Sequence, residues 1–181
     1  TTRDLNKNDN DGKKAALVPG EFSGQSLAAL LKACELADCT KQPVIILHVV
    51  HDPAEMPGYY NLVTKKKKIS HIDDLAQEAF DAFVEEAKKR YPNVKCLQEA
   101  ETRLVIGLPV NRILEMVDIT KASMVVMGSQ GRTGMKHIML GSKAEQVVRL
   151  CPVPIMIVKE PVKPSNTSCW DQKPSRSCDF V

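Results

Sequence analysis

From Ser123 to Glu145 the chain reads SMVVMGSQGRTGMKHIMLGSKAE. The run Ser123-Met124-Val125-Val126-Met127 is short and apolar and ends in Gly128, the pattern of a buried parallel strand passing into a loop. Further on, Ser142-Lys143-Ala144-Glu145 has capping-box spacing, which places a helix start at Ser142. Strand end, glycine-rich loop and helix start therefore meet at one place. Amides unobstructed by side chains, next to the positive end of a helix dipole, make an anion site suited to nucleotide phosphates.

Working outward from this stretch, apolar runs at Ala15 to Pro19, Val44 to Val50, Val94 to Glu99, Ser123 to Gly128 and Pro154 to Val158 read as five strands. Helical spacing separates them. Leu27, Leu30, Leu31 and Cys34 recur at i, i+3, i+4 and i+7, as do Val110, Ile113, Leu114 and Val117 behind Pro109. Leu75, Ala79, Phe80, Phe83, Val84 and Ala87 mark the longest helix, and Ala144, Val147 and Val148 the inward side of a fourth from Lys143 to Leu150. Strands alternating with helices predict an α/β fold: an open, doubly wound, five-stranded parallel sheet in the order 3-2-1-4-5, with helices on both faces. The polar, aperiodic ends suggest a disordered extension over 1–14 and a flexible tail over 160–181, around one domain at 15–159. The loop from Asp52 to Ser70 exceeds a tight α/β connection and is a candidate lid or partner surface.

Composition excludes several function classes. The net charge is only +3 with basic and acidic residues interspersed, and aromatics make up 4% of the chain, so neither a nucleic-acid groove nor a base-stacking platform is expected. No stretch approaches the ~20 apolar residues of a membrane span, and Thr1 to Lys14 has no apolar signal region; a soluble, cytoplasmic protein is the expectation. The six cysteines include no C-x-x-C pair, and the four histidines have no metal-site spacing. Cys34 and Cys96 fit apolar patterns and read as small buried hydrophobes. His48 reads as a hydrogen-bonded residue of the core or strand end.

In a sheet of this order the ligand lies beyond the carboxyl ends of the strands, where strand order reverses. Two loops converge there if strands one and four are neighbours. One is Pro19-Gly20-Glu21-Phe22-Ser23, and the other follows Met127 and Gly128. Glu21 would face the space above the glycines, where a carboxylate can accept hydrogen bonds from ribose hydroxyls.

Gly128-x-x-Gly131, nine residues, then Gly141-Ser142 resembles the ATP-binding signature of the universal stress protein family. The likeness runs from about Lys14 to Lys159 and includes His48-Val49-Val50, Gly107-Leu108-Pro109 and Cys151-Pro152-Val153-Pro154. It implies that Val49 and Met127 flank adenine and that Glu21 stands where family members carry an aspartate. It also implies that Gly128, Gly131, Gly141, Ser142, Lys143 and Ala144 offer backbone or hydroxyl donors to ribose and phosphate. Gly134 lies outside the motif. Lys143 occupies a position where a small apolar residue is more usual, and with Arg132 and Lys136 it adds positive charge for a triphosphate. A homodimer paired through the last strand is implied as well, and the apolar edge Ile155-Met156-Ile157-Val158 fits it.

The function expected is an ATP-binding regulatory or stress-response module, possible Mg accompanying the nucleotide, with an unidentified protein partner downstream. Two alternatives remain: an interaction module of the same fold that binds no nucleotide, and a slow ATPase. The chain lacks a G-x-x-x-x-G-K-[ST] loop and an evident water-positioning base, so at most weak hydrolysis is expected.

Overall fold

A computed structural model of the chain describes residues 14–50, 70–129 and 140–159. The expected terminal extensions and the 52–70 loop fall outside the described residues, apart from Lys14 and Ser70. The elements follow in the order β1 (Ala16–Pro19), α1 (Gly24–Thr40), β2 (Val44–Val50), α2 (Ser70–Arg90), α3 (Lys95–Glu99), β3 (Glu101–Ile106), α4 (Pro109–Thr120), β4 (Met124–Gly128), α5 (Ser142–Leu150) and β5 (Ile155–Val158). The five strands form one sheet, β3-β2-β1-β4-β5, and every pairing is parallel. The order and direction agree with those read from the sequence.

Alternation along each strand sends side chains into two separate apolar layers. Ala16, Val18, Val44, Ile46 and Val126 face α1, α2 and α3, where Ala29, Leu30, Ala33, Phe80, Val84 and Leu97 pack. Leu17, Ile45, Leu47, Val125 and Met127 face α4 and α5, meeting Ile113, Met116, Val117, Ala144 and Val147. Central β1 is covered on both sides, which is why its run is uniformly apolar; Leu17 is 0% exposed.

The third strand differs from the sequence reading. Val94 to Glu99 is not a strand: Val94 caps the short helix α3, and the strand is Glu101–Ile106, paired from Ile45↔Glu101 to Val50↔Ile106. Leu97, wholly buried, anchors the helical turn, and Gln98 Nε2 donates to the carbonyls of Lys88 and Tyr91. β3 is an edge strand that starts Glu-Thr-Arg, so its apolar signal begins only at Leu104. Two inward assignments also change: Leu75 is 62% and Val148 45% exposed, leaving Phe80, Val84 and Ala87 to seat α2.

Helices α1 and α4 end on the same device. Lys41 (φ 56°) and Lys121 (φ 52°) adopt the left-handed conformation, and their amides donate to the carbonyls of Ala37 and Val117. A side chain in that conformation costs about 1–2 kcal/mol, and glycine avoids the cost while adding freedom to the unfolded chain. Lys121→Gly is expected to raise stability by about 0.5–1 kcal/mol, seen as a higher urea midpoint at unchanged m-value.

Candidate functional site

Because all strands run parallel, their carboxyl ends share one rim of the sheet. Order reverses at β1: β2 and β3 lie to one side, β4 and β5 to the other. β1 pairs Pro19 with Leu47, whereas β2 continues to Val50. On the other side Ala16 pairs with Met124 and Leu17 with Val125, a register that sets Pro19 level with Met127. β2 and β4 therefore overhang the end of β1. The overhang is a notch at the switch point, the place where open α/β sheets bind ligands.

Val49 and Met127 belong to the same face, in the layer shared with α4 and α5. Val49 is half-buried and Met127 8% exposed, so the notch has apolar walls. Gly20 continues β1 into the notch with its amide donating to the Leu47 carbonyl at 2.9 Å. Gly128 closes β4 against the first turn of α1: a Cβ there would lie 3.1 Å from Gln25 Cβ and 3.3 Å from the Gln25 carbonyl oxygen. Glycine is what lets helix and strand approach this closely.

Glu21 is held by its neighbours on both sides. Its amide donates to Ser26 Oγ at 3.0 Å; Ser26 N in turn donates to Ser23 Oγ, the N-cap of α1, at 3.2 Å. Phe22 takes a left-handed φ of 63° and lays its ring 4.1 Å from that of His48 and 5.9 Å from that of Phe80. His48 Nδ1 lies 2.8 Å from the Gly20 carbonyl oxygen. Phe22, Ser26 and Gln25 are the residues that sequence reasoning missed here. Ser23-x-x-Ser26 at the start of a helical run was the available signal for the serines.

Burial lowers the pKa of His48 below the ordinary 6.5, against smaller raising effects from the Gly20 carbonyl and the Glu21 carboxylate. A depressed histidine pKa means that the unfolded chain takes up its proton first. Stability is therefore full above pH 6.5 and declines as pH falls through 6.5 toward the lower folded value. His48→Asn, whose amide can still donate to Gly20, is expected to flatten that decline in urea titrations run at successive pH values.

The side of the notch next to the glycine-rich stretch is built on α5. Its N-cap is Gly141, with no side-chain cap bond, so Ser142 is the first helical residue and the expected capping box does not form. Glu145 instead pairs with Arg149 at 2.7 Å, while its amide donates to the Gly141 carbonyl. That first intrahelical bond leaves the amides of Ser142, Lys143 and Ala144 without helical acceptors. Ala144 is buried beneath them, and Ser142 and Lys143 are exposed. The amide of Gly141 donates to the Ser129 carbonyl at 2.8 Å, and the amide of buried Ser129 donates to Val158 at 2.9 Å. The two ends of the glycine-rich stretch are thus tied to each other and to the sheet. Gly131 and Arg132, with Gly134 and Lys136, lie outside the described residues.

Free amides at a helix start suit phosphate, and the apolar notch suits a flat heterocycle. Among the described residues no group of three His, Cys, Asp or Glu side chains could hold a metal ion, and no helix is long and apolar enough to cross a membrane. A separate hollow of about 240 Å³ near Lys14, Asp118, Lys121 and Pro152 lies at the opposite, amino end of the strands and shares nothing with the notch.

A five-stranded parallel sheet with a glycine-lined notch at its switch point is an open α/β architecture, the kind that binds ligands at that point. The sequence model of the universal stress protein family matches residues 13–159, and the chain belongs to that family. A universal stress protein of Methanocaldococcus jannaschii is 30% identical over 161 residues, 83% of this chain and 84% of the relative. The solved universal stress protein UspA of Lactobacillus plantarum superposes with a TM-score of 0.62 at 20% identity, covering 80% of this chain and 97% of that one. A universal stress protein solved in complex with cAMP gives a TM-score of 0.54 at 24% identity, over 81% and 97% of the two chains. These structural likenesses carry the fold.

Proposed function

We propose that this protein binds ATP in the notch at the end of β1 and acts as a nucleotide-dependent regulatory module in a stress response. The observation that carries the reading is the overhang of β2 past Pro19, with Met127 of β4 level with it, which puts Val49 and Met127 beside the backbone that bears Glu21. Adenine would lie between Val49 and Met127, with Pro19 and Gly20 beneath it. Glu21 would accept from the ribose hydroxyls. The amides of Ser142, Lys143 and Ala144, with Gly128 and Gly141 allowing close approach, would receive the phosphates, joined by Gly131 and Arg132. The Lys143 ammonium adds charge for a triphosphate, and magnesium would be held chiefly by the phosphates themselves. A protein of the same fold is solved with cAMP, an adenine nucleotide, bound.

In the same reading the edge strand β5, with Ile155, Met156, Ile157 and Val158 half-buried, pairs with a second copy. Ligand contacts would bias a conformational equilibrium and so change a surface seen by partners in the cytoplasm. Isothermal calorimetry with ATP and magnesium tests the central claim. Saturable binding at one site per chain is the expected result, and no heat at millimolar nucleotide would overturn it.

A further inference from the structure

The peptide unit that joins Gly20 to Glu21 is gripped at both ends. Its carbonyl oxygen lies 2.8 Å from His48 Nδ1, and its amide, that of Glu21, donates to Ser26 Oγ at 3.0 Å. A carbonyl only accepts, so Nδ1 carries the hydrogen and Nε2 is the basic nitrogen of the neutral ring. The orientation of this unit sets how the Glu21 side chain leaves the backbone, and a glycine at 20 would otherwise let the unit turn. One residue on, left-handed Phe22 lays its ring against the same imidazole, 4.1 Å between centroids. His48 thus holds the chain immediately before and immediately after Glu21.

We propose that His48 is a positioning residue for the notch: the neutral imidazole fixes the turn from Gly20 to Phe22 in the arrangement that presents Glu21, and protonation releases it. The consequence, weaker binding of an adenine nucleoside in acid, rests on the nucleotide reading given above.

The surroundings of the ring give the direction. α2 meets it with Phe80, 5.7 Å between centroids, and β3 pairs Leu104 with it. β1 adds Val18 to the same layer, and Phe83 backs Phe22 at 5.4 Å. Among the described residues, the charge that acts on the ring is the Glu21 carboxylate. Burial outweighs the help that the Gly20 carbonyl and this carboxylate give to the cation, so the held ring takes up a proton less readily than a ring in water. By linkage, the held arrangement prevails above pH 6.5 and gives way as pH falls below that value toward the lower one of the held ring.

The first test needs no ligand. In the isotope-labelled full chain, the His48 imidazole and the Glu21 amide are followed by NMR from about pH 8 to about pH 5. Both are expected to shift with one midpoint below 6.5, together with the Phe22 ring, while the amide of Val117 in the opposite layer stays still. A stationary Glu21 amide, a Glu21 midpoint different from that of His48, or a ring that gains no proton until the chain unfolds would each overturn the proposal. The second test is calorimetry with adenosine, which carries no phosphate to titrate. Going from about pH 7.5 to about pH 5.5 should weaken binding about three- to tenfold, the upper figure being the limit for one proton with an ordinary pKa of about 6.5. His48→Ala should bind more weakly at about pH 7.5 and lose the pH dependence. His48→Asn, whose amide can still donate to Gly20, should recover part of the affinity without the dependence. Undiminished binding of adenosine to the parent chain at about pH 5.5 counts decisively against the proposal. Absence of binding at every pH would strike the nucleotide reading instead, and the resonances then decide whether His48 holds the turn.

Discussion

Phe80→Ala is expected to lower folding stability by about 3–5 kcal/mol, the usual cost of emptying a fully buried aromatic site. Phe80 is 2% exposed, and its ring centroid lies 5.9 Å from that of Phe22 and 5.7 Å from that of His48. The cavity would open directly beneath the loop that carries Glu21. Phe22 is held in a left-handed conformation that costs about 1–2 kcal/mol, and ring contacts offset that cost. Removing Phe80 weakens the restraint, so nucleotide affinity should fall together with stability. Phe80→Leu, which refills most of the volume, should retain much of both. Urea unfolding followed by ATP calorimetry on the two variants checks this; an unchanged urea midpoint for Phe80→Ala would refute the packing account.

Glu21→Ala is expected to weaken ATP binding by about 10- to 100-fold while leaving the unfolding free energy, read from urea denaturation, within about 0.5 kcal/mol of the parent. The binding figure follows from the 1.5–3 kcal/mol typical of a hydrogen bond to a charged group. The stability figure follows from the site: the Glu21 amide, not its carboxylate, holds the loop to Ser26, and alanine keeps that amide. Glu21→Asp supplies a second comparison. A carboxylate one methylene shorter sits closer to a backbone already fixed by Ser26 and Phe22, and binding should be retained. If the alanine variant binds ATP as tightly as the parent does, Glu21 has no part in the site.

Some of this architecture was legible from the residues, and the reasons are specific. β1, β2 and β4 are covered on both faces, so each announces itself as a nearly continuous apolar run, broken in β2 only by His48, and the run ending at Gly128 also marks the rim where the candidate notch lies. β3 was misplaced because an edge strand alternates and its first half is Glu-Thr-Arg, whereas the helical turn just before it carries Val94, Cys96 and Leu97. Ser142 was misread as a cap because the spacing to Glu145 matches a capping box; in the fold Glu145 is drawn instead to Arg149, one turn on. Glu21 and the strand end at Met127 could be placed at one rim because parallel order settles which ends coincide, whereas Val49 came only from the family resemblance. The left-handed Phe22 and its ring contacts could not be read, since they depend on α2 lying over the end of β2.

The bond from the Gly141 amide to the Ser129 carbonyl makes the residues between them a cassette with a fixed base. A connection whose ends are already clamped contributes little to the stability of what lies below it, and doubling its length costs only about 0.6 kcal/mol. Under the proposed nucleotide-binding reading, exchanging residues 130–140 with those of a relative is expected to leave the sheet that receives them unchanged.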